Sequence, residues 1–475
     1  MVDKKIIDIL EKLEKAGFEA AVVGGAVRDI LSGNKVGDWD LTTNAEPEEI
    51  LKIFPDGFYN NRFGTVGVPV SSGQEPETKD ENIVEITTYR SEEGYSDTRH
   101  PDTVKWGKTL QEDLARRDFT INAMALRRGE RPGLNEEGSG QRPGLELGNW
   151  DLVDPFGGQD HLKNKLIKTV GDANERFGED ALRMLRAIRF ATTLGFDIDP
   201  ATAKAIEDNA SLISKISGER IRDEVFKIVD SPTPSSGIFL AKKLSVLTVI
   251  LPELEVCFAV EQKSPKRHHI YDVGTHCVMS LDACPSKDTI TRFATMLHDI
   301  GKAKVAKVTE EGVRTFHNHE VVGARQAVAI AERFHLSRDE RDKLFRLVRW
   351  HQFSVNENQT DRALRRFIKN IGLENVEDMM DLRIGDRLGG GLQQPESWRL
   401  KLFRSRLKEV LKKPFTVADL AIDGNDVMKI LDLKPGPKVG EILSKLFEEV
   451  ADDKAKNTRD YLTKRLSQLL TRTSG

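Results

Sequence analysis

Residues 37–43 read GDWDLTT and place two carboxylates, Asp38 and Asp40, two positions apart at the head of a β-prone run. In a strand, residues i and i+2 share a face, so this spacing predicts two carboxylates converging on one point. Like charges brought together call for a cation. Magnesium takes oxygen ligands, commonly one or two carboxylates plus substrate phosphates, and suits such a strand end. Alone, the pair equally describes exposed strand-end acids.

Upstream, VVGGAVRDIL (22–31) reads as a strand, a two-glycine turn and a helix whose first turn carries Arg28 and Asp29. Gly24 and Gly25 let backbone approach a phosphate closely, a helix N-terminus favours anions, and Arg28 adds a charged fork. An ordinary strand-to-helix turn has the same pattern. Glu85, in NIVEITTYR (82–90), lies on a separate predicted strand and could complete a carboxylate triad.

Outward from this core, residues 20–128 alternate short β-type runs with loops and form the one sheet-rich region. Two Gly-, Pro- and charge-rich stretches, 71–82 and 129–149, read as insertions at hairpin tips. From DLVDPFGG (151–158) onward the spacing turns helical and stays so, with breaks predicted at 230–237 and 389–397. The fold class is therefore α+β: a mixed-sheet head followed by an all-helical remainder. We divide the chain into a head (1–150), neck (151–235), body (236–390) and tail (391–475).

With 475 residues, 38% apolar and 31% charged, the chain has material for several cores and no run approaching a membrane span. Its amphipathic N-terminus lacks signal-peptide layout, and Cys257, Cys277 and Cys284 show no CxxC spacing. A cytoplasmic protein with reduced thiols is expected. The net charge is -4, yet residues 391–475 carry 17 Lys or Arg against 12 Asp or Glu, a net of +5 that can hold phosphates locally. A solvated helical surface is the other reading.

Taken together, GGAVRD (24–29), GDWD (37–40) and ARRDFTINAMA (115–125) resemble the nucleotidyltransferase core of the tRNA CCA-adding enzymes and bacterial poly(A) polymerases. That core belongs to the DNA polymerase beta-like superfamily in its bacterial, class II, form. The resemblance continues to GERIRDEVFKIV (218–229). It implies that Asp38 and Asp40, with Glu85, bind catalytic magnesium for a two-metal displacement. Gly24, Gly25, Arg28 and Arg117 fall around the triphosphate.

In EDALRMLR (179–186), spacing puts Asp180, Arg183 and Arg186 along one predicted helix face, which could be no more than an ion-pair ladder. The resemblance instead makes Asp180 and Arg183 the base readers, Glu179 the orienter of Arg183, and Arg186 and Arg189 supporting contacts. A carboxylate accepts from the amino group of cytosine or adenine while a guanidinium donates to the ring nitrogen. Uracil and guanine present a carbonyl to the carboxylate and are rejected. The loop at 91–113 resembles the family's flexible loop at full length, which implies A addition.

Six of the ten histidines lie between 276 and 351. As an ordered set, His276, His298, Asp299 and Asp386 resemble the ligands of HD-domain metal-dependent phosphohydrolases, with His319 and His351 available to a second ion. The metal there is a divalent cation of open identity. LKPGPKVGEILSKLFEEV (433–450), with Lys434 and Lys438, is similar to the tail that grips the tRNA elbow, although a helix capped by Pro explains the same residues. The expected partners are thus tRNA, at its 3' end and elbow, with CTP and ATP, and no membrane. The reading is addition or repair of the tRNA CCA end. The alternatives are an A-adding specialist, a poly(A) polymerase, or an HD hydrolase with a degenerate head.

Overall fold

The computed structural model describes residues 2–59, 64–70, 83–93, 103–107, 109–129, 149–262, 270–310, 312–353, 360–412, 417–452 and 454–472. The insertions read at 71–82 and 130–148, and residues 94–102 and 108 of the 91–113 loop, lie outside them. The chain forms two compact units, Met1–Glu255 and Val256–Gly475. The neck–body boundary drawn at 235 therefore falls inside the first unit. The reason is the helix Pro234–Lys243, which packs closely on the neck: a Cβ on Gly237 would lie 2.5 Å from Thr192 Oγ1.

The head strands are β1 (Ala20–Val23), β2 (Asp40–Thr43), β3 (Phe58–Tyr59), β4 (Thr65–Pro69), β5 (Ile83–Thr88), β6 (Arg90–Glu93), β7 (Thr103–Trp106), β8 (Ala125–Arg128) and β9 (Trp150–Val153). Seven of them form one sheet in the order β3-β4-β5-β2-β1-β8-β9. Its pairs are antiparallel except β2 with β5, which makes the sheet mixed. β9 extends the sheet past residue 128, where the sequence reading ended it; Trp150 pairs with Arg128 across the hairpin. β6 and β7 form a separate two-stranded ribbon, so the flanks of the 91–113 loop are strand rather than loop.

One face of β1 and β8 is roofed by the helix Leu110–Ala115. Leu110 and Leu114 pack with Ala21, Val23, Ala125 and the fully buried Tyr89. The N-terminal helix Lys4–Lys15, capped by Asp3, buries Ile6, Ile9, Leu10 and Leu13, a one-face stripe at helical spacing.

Among the described residues the second unit is helical apart from a two-stranded ribbon, Lys307–Val308 with Arg314–Thr315, and an isolated bridge between Glu261 and Asp272. Its helices Val273–Asp282 and Val376–Gly389 cross at glycines. A Cβ on Gly389 would lie 2.4 Å from Ser280 N, and one on Gly385 2.7 Å from Ser280 O. Only glycine permits that approach. The tail has its own core, centred on Val427, Leu446, Val450, Leu462 and Leu466.

Buried ion pairs brace the head and, through Asp118 and Arg186, join it to the neck. Asp113, fully buried, pairs with Arg116 at 2.7 Å and Arg117 at 3.2 Å, and Asp118 with Arg186 at 2.6 Å. Burial alone would raise both carboxyls, but these guanidiniums outweigh it and hold both below the ordinary range. A group depressed in the folded state stabilises above its unfolded pKa and loses that contribution as pH falls through its folded pKa. The thermal midpoint should therefore hold near neutrality and fall steeply below about pH 4. Asp113→Asn should cost about 3 kcal/mol at neutral pH and flatten the acid limb, measured by calorimetry from acid to neutral pH.

Candidate functional site

The first candidate site follows from strand register. Asp40 is opposite Glu85 across the parallel β2–β5 pair and opposite Val23 across β1. Paired residues project from the same face, so two carboxylates stand side by side on neighbouring central strands of the sheet. Asp38 is not in the strand: β2 begins at Asp40, and Asp38 occupies an exposed bend before it. The i, i+2 strand argument thus does not bring the two together, but proximity does. Burial, then the charges of Glu85 and Asp38, push the Asp40 carboxyl up, against the opposing pull of Arg117. A carboxylate so crowded by its own kind, with oxygen donors only, fits a hard divalent cation.

Gly24 has a positive φ of 71° and lies against this group. A Cβ there would be 3.0 Å from Arg117 Nη1 and 3.2 Å from Asp40 Oδ2. Glycine thus serves two needs at once, the left-handed backbone and the close approach. Arg117 is aimed by Asp113, whose other oxygen holds Arg116. Arg28 donates to Asp29 at 2.9 Å and to Asn122 Oδ1 at 3.0 Å, and Asn122 in turn donates to Asp118 at 3.3 Å. Sequence reading passed over Asp113, Asp118 and Asn122. The acids flanking RRDF and the Asn of TINA were the available signal.

Asp180 corrects the helix-face expectation. The helix Ala173–Glu179 ends before it, the helix Leu182–Leu194 starts after it, and Asp180 itself is extended, at φ -145° and ψ 104°. Its Oδ1 accepts from the Leu182 amide at 3.0 Å, capping the second helix, and its Oδ2 accepts from Arg220 at 2.7 Å. A side chain that caps a helix cannot also lie along it. Arg183 pairs with Glu179, which also holds Arg176 at 2.9 Å, and Arg183 Nη2 reaches the Arg116 carbonyl at 3.4 Å. Arg186 binds Asp118; Arg189 binds Glu224 at 2.5 Å and lies 3.9 Å from the Phe190 ring centroid. Arg220 and Glu224 were missed because only tertiary folding brings the helix Gly218–Val229 alongside.

A second candidate site lies within Val256–Gly475, in a cavity of about 680 Å³. Asp299 stands at its centre. Its Oδ2 faces His276 Nε2 at 3.5 Å and His298 Nε2 at 3.3 Å. Its Oδ1 faces His319 Nε2 at 3.1 Å and His351 Nε2 at 3.6 Å. Asp386 Oδ1 closes the first group, 3.3 Å from His276 and 3.7 Å from His298.

All six predicted residues thus meet, and one carboxylate is shared between two histidine pairs. His298, His319 and His351 each donate Nδ1–H to the carbonyl three residues earlier, at 2.7, 2.8 and 2.7 Å. That bond fixes the tautomer and leaves Nε2 free to ligate, so imidazole and carboxylate donors suit a divalent transition ion. Burial disfavours a charged His298, but Asp299 and Asp386 outweigh it and push the ring up to about 10. Burial likewise opposes both carboxylates, yet Lys302 with His298 and His276 holds Asp299, and His276 with His298 holds Asp386, well below the ordinary range. Lys302, 2.5 Å from Asp299 Oδ2 and 2.7 Å from Gln262, was not singled out in the sequence. Among the described residues no helix is long and apolar enough to cross a membrane.

Comparison with known proteins agrees with this geometry. The family described as "Poly A polymerase head domain" matches residues 20–168, and "HD domain" matches residues 267–383. A CCA-adding enzyme of Lactobacillus helveticus (strain DPC 4571) is 33% identical over 478 residues, spanning 98% of this chain and 97% of that one. One from Geobacillus sp. (strain WCH70) is 41% identical over 238 residues, 50% of this chain and 52% of that one. The crystal structure of the Bacillus stearothermophilus CCA-adding enzyme in complex with CTP matches with TM-score 0.67 at 25% identity, covering 99% of this chain and 98% of that one. The Thermotoga maritima CCA-adding enzyme complexed with tRNA shares the fold, with TM-score 0.54 at 20% identity, covering 98% and 96% of the two chains. These matches do not favour an A-adding specialist, a poly(A) polymerase or a lone HD hydrolase. The family is metal-dependent, in keeping with the grouped donors found here. The chain belongs to the CCA-adding enzymes, bacterial tRNA nucleotidyltransferases with a polymerase-type head and an HD domain.

Proposed function

We propose that the carboxylate group of Asp38, Asp40 and Glu85 is where this chain adds and repairs the 3'-terminal CCA of tRNA, using CTP and ATP without a template. The register of Asp40 against Glu85 carries this reading, with Gly24 and Arg117 closing on the same point. Magnesium held by these carboxylates would neutralise the triphosphate and the departing pyrophosphate and acidify the acceptor hydroxyl. Gly24 and Gly25 admit the triphosphate against backbone, while Arg28 and Arg117 supply planar, positively charged donors. Asp180 and Arg183 read the base edge, with Glu179 orienting Arg183 and with Arg186 and Arg189 holding the helix to the head and neck. We assign catalysis to 1–150, base reading to 151–235, the HD centre to 236–390 and the tRNA elbow to 391–475. The cytoplasmic assignment rests on three buried free thiols.

The second site is read as a metal-dependent phosphohydrolase centre acting on phosphorylated or cyclic ends. His276, His298, Asp299 and Asp386 would hold one divalent ion. His319 and His351, with the other oxygen of Asp299, would hold a second.

Each assignment has its own test. Asp40→Ala should reduce CTP and ATP incorporation into truncated tRNA to background while leaving metal-dependent phosphate release intact; surviving incorporation would overturn the assignment. Asp180→Asn should lower discrimination of CTP over UTP by roughly two orders of magnitude, read as a ratio of kcat/KM values. His298→Ala and Asp299→Ala should leave incorporation at the wild-type rate and remove EDTA-sensitive phosphate release from 3'-phosphorylated RNA.

A further inference from the structure

We propose that Phe58 is the platform on which the terminal base of the acceptor tRNA stacks, an inference that rests on the catalytic reading of Asp40 and Glu85. Register places it. Phe58 pairs with Gly67, Gly67 with Glu85, and Glu85 with Asp40, so the four form one row across β3, β4, β5 and β2 and project from one face. Gly67 contributes no side chain to that row. The Phe58 ring fills the space: a Cβ on Gly67 would lie 2.7 Å from Phe58 Cζ and 3.1 Å from Ile83 Cγ2. The ring therefore leans across β4 toward Glu85, yet Phe58 remains 43% exposed. Strands are about 4.8 Å apart, so the ring comes within one or two strand spacings of the carboxylates, the distance of a base from its own 3'-hydroxyl.

Topology says which base. On the β1 and β8 side of Asp40 the same face carries Gly24, Arg117 and the helix Leu110–Ala115, and Arg183 reaches in at the Arg116 carbonyl. That flank is committed to the incoming nucleotide. Phosphoryl transfer requires attacking and leaving oxygens in line, so the acceptor must approach from the opposite flank, over β5, β4 and β3. An aromatic face also suits the acceptor chemically. The terminal base differs between the first addition and the later ones, and stacking tolerates any base, whereas hydrogen-bond readout does not.

The test uses the full-length enzyme with tRNAs ending before CCA, after C and after CC. Phe58→Ala should raise KM for all three tRNAs by about tenfold, leave KM for CTP unchanged and keep the preference for CTP over UTP. Phe58→Trp should restore KM, and Phe58→Leu, which keeps apolar packing on Gly67 and Ile83 without a π face, should not. A tRNA carrying 2-aminopurine at its 3' end should lose fluorescence on binding wild type and Phe58→Trp, but not Phe58→Ala or Phe58→Leu. Wild-type KM for tRNA in Phe58→Ala, full rescue by Leu, or quenching that survives in Phe58→Ala would each overturn the proposal. The quenching arm needs no catalysis, so failure of the Asp40 assignment, seen as an active Asp40→Ala enzyme, is distinguishable from failure here.

Discussion

A carboxylate withdrawn from water and set among other carboxylates is the costliest group in this chain, and each candidate site is built around one. Asp40 stands near Asp38 and Glu85, and burial, then their charges, push its carboxyl up, with Arg117 opposing them. Asp299 is buried more deeply and carries Lys302 as well as four imidazoles within 3.6 Å of its two oxygens. The first group offers carboxylate oxygens, the second imidazole nitrogens as well. This contrast matches a polymerase centre, whose magnesium is shared with a nucleotide, and a hydrolase centre, whose ions are held by side chains.

Much of the first unit serves to keep arginines where those charges need them. Asp113 holds Arg116 and Arg117, Asp118 holds Arg186, Glu224 holds Arg189 and Arg220 holds Asp180. The last three pairs each join residues of different elements. A shift of the neck helix Leu182–Leu194 would therefore be felt at Asp118 and, through Asn122, at Arg28. The residues proposed for base reading and for phosphate binding are thus linked by hydrogen bonds within this unit.

The HD centre shows the same economy with different means. Its ligands come from the helices Val273–Asp282, His319–Arg333 and Val376–Gly389 and from the C-terminal ends of Thr289–Leu297 and Arg338–Trp350. Glycines set how close those helices come. Gly385 and Gly389 let one helix press against Ser280, which brings Asp386 within reach of His276.

Some of this was legible in the residues themselves. The two-glycine turn, the DxD spacing, the paired arginines of RRDF and the ordered histidines are local patterns whose chemistry follows from residue type, and they pointed to the α+β head, the helical remainder and the two groups of side chains proposed as sites. Other features depended on partners distant in sequence. Asp38 lies outside the strand because pairing with Val23 begins at Asp40. Asp180 leaves the helix because its side chain caps the next one and meets Arg220, forty residues later. The helix Pro234–Lys243 belongs to the unit ending at Glu255, with Gly237 packed on Thr192. Phe58 reads as an unremarked aromatic until three strand pairings set it in the row of Glu85 and Asp40. Sequence alone determined which chemical groups are present and which local backbone they favour, since those are properties of neighbours along the chain. Register, capping and helix approach decided which groups meet, because they are settled by long-range packing that no local pattern encodes.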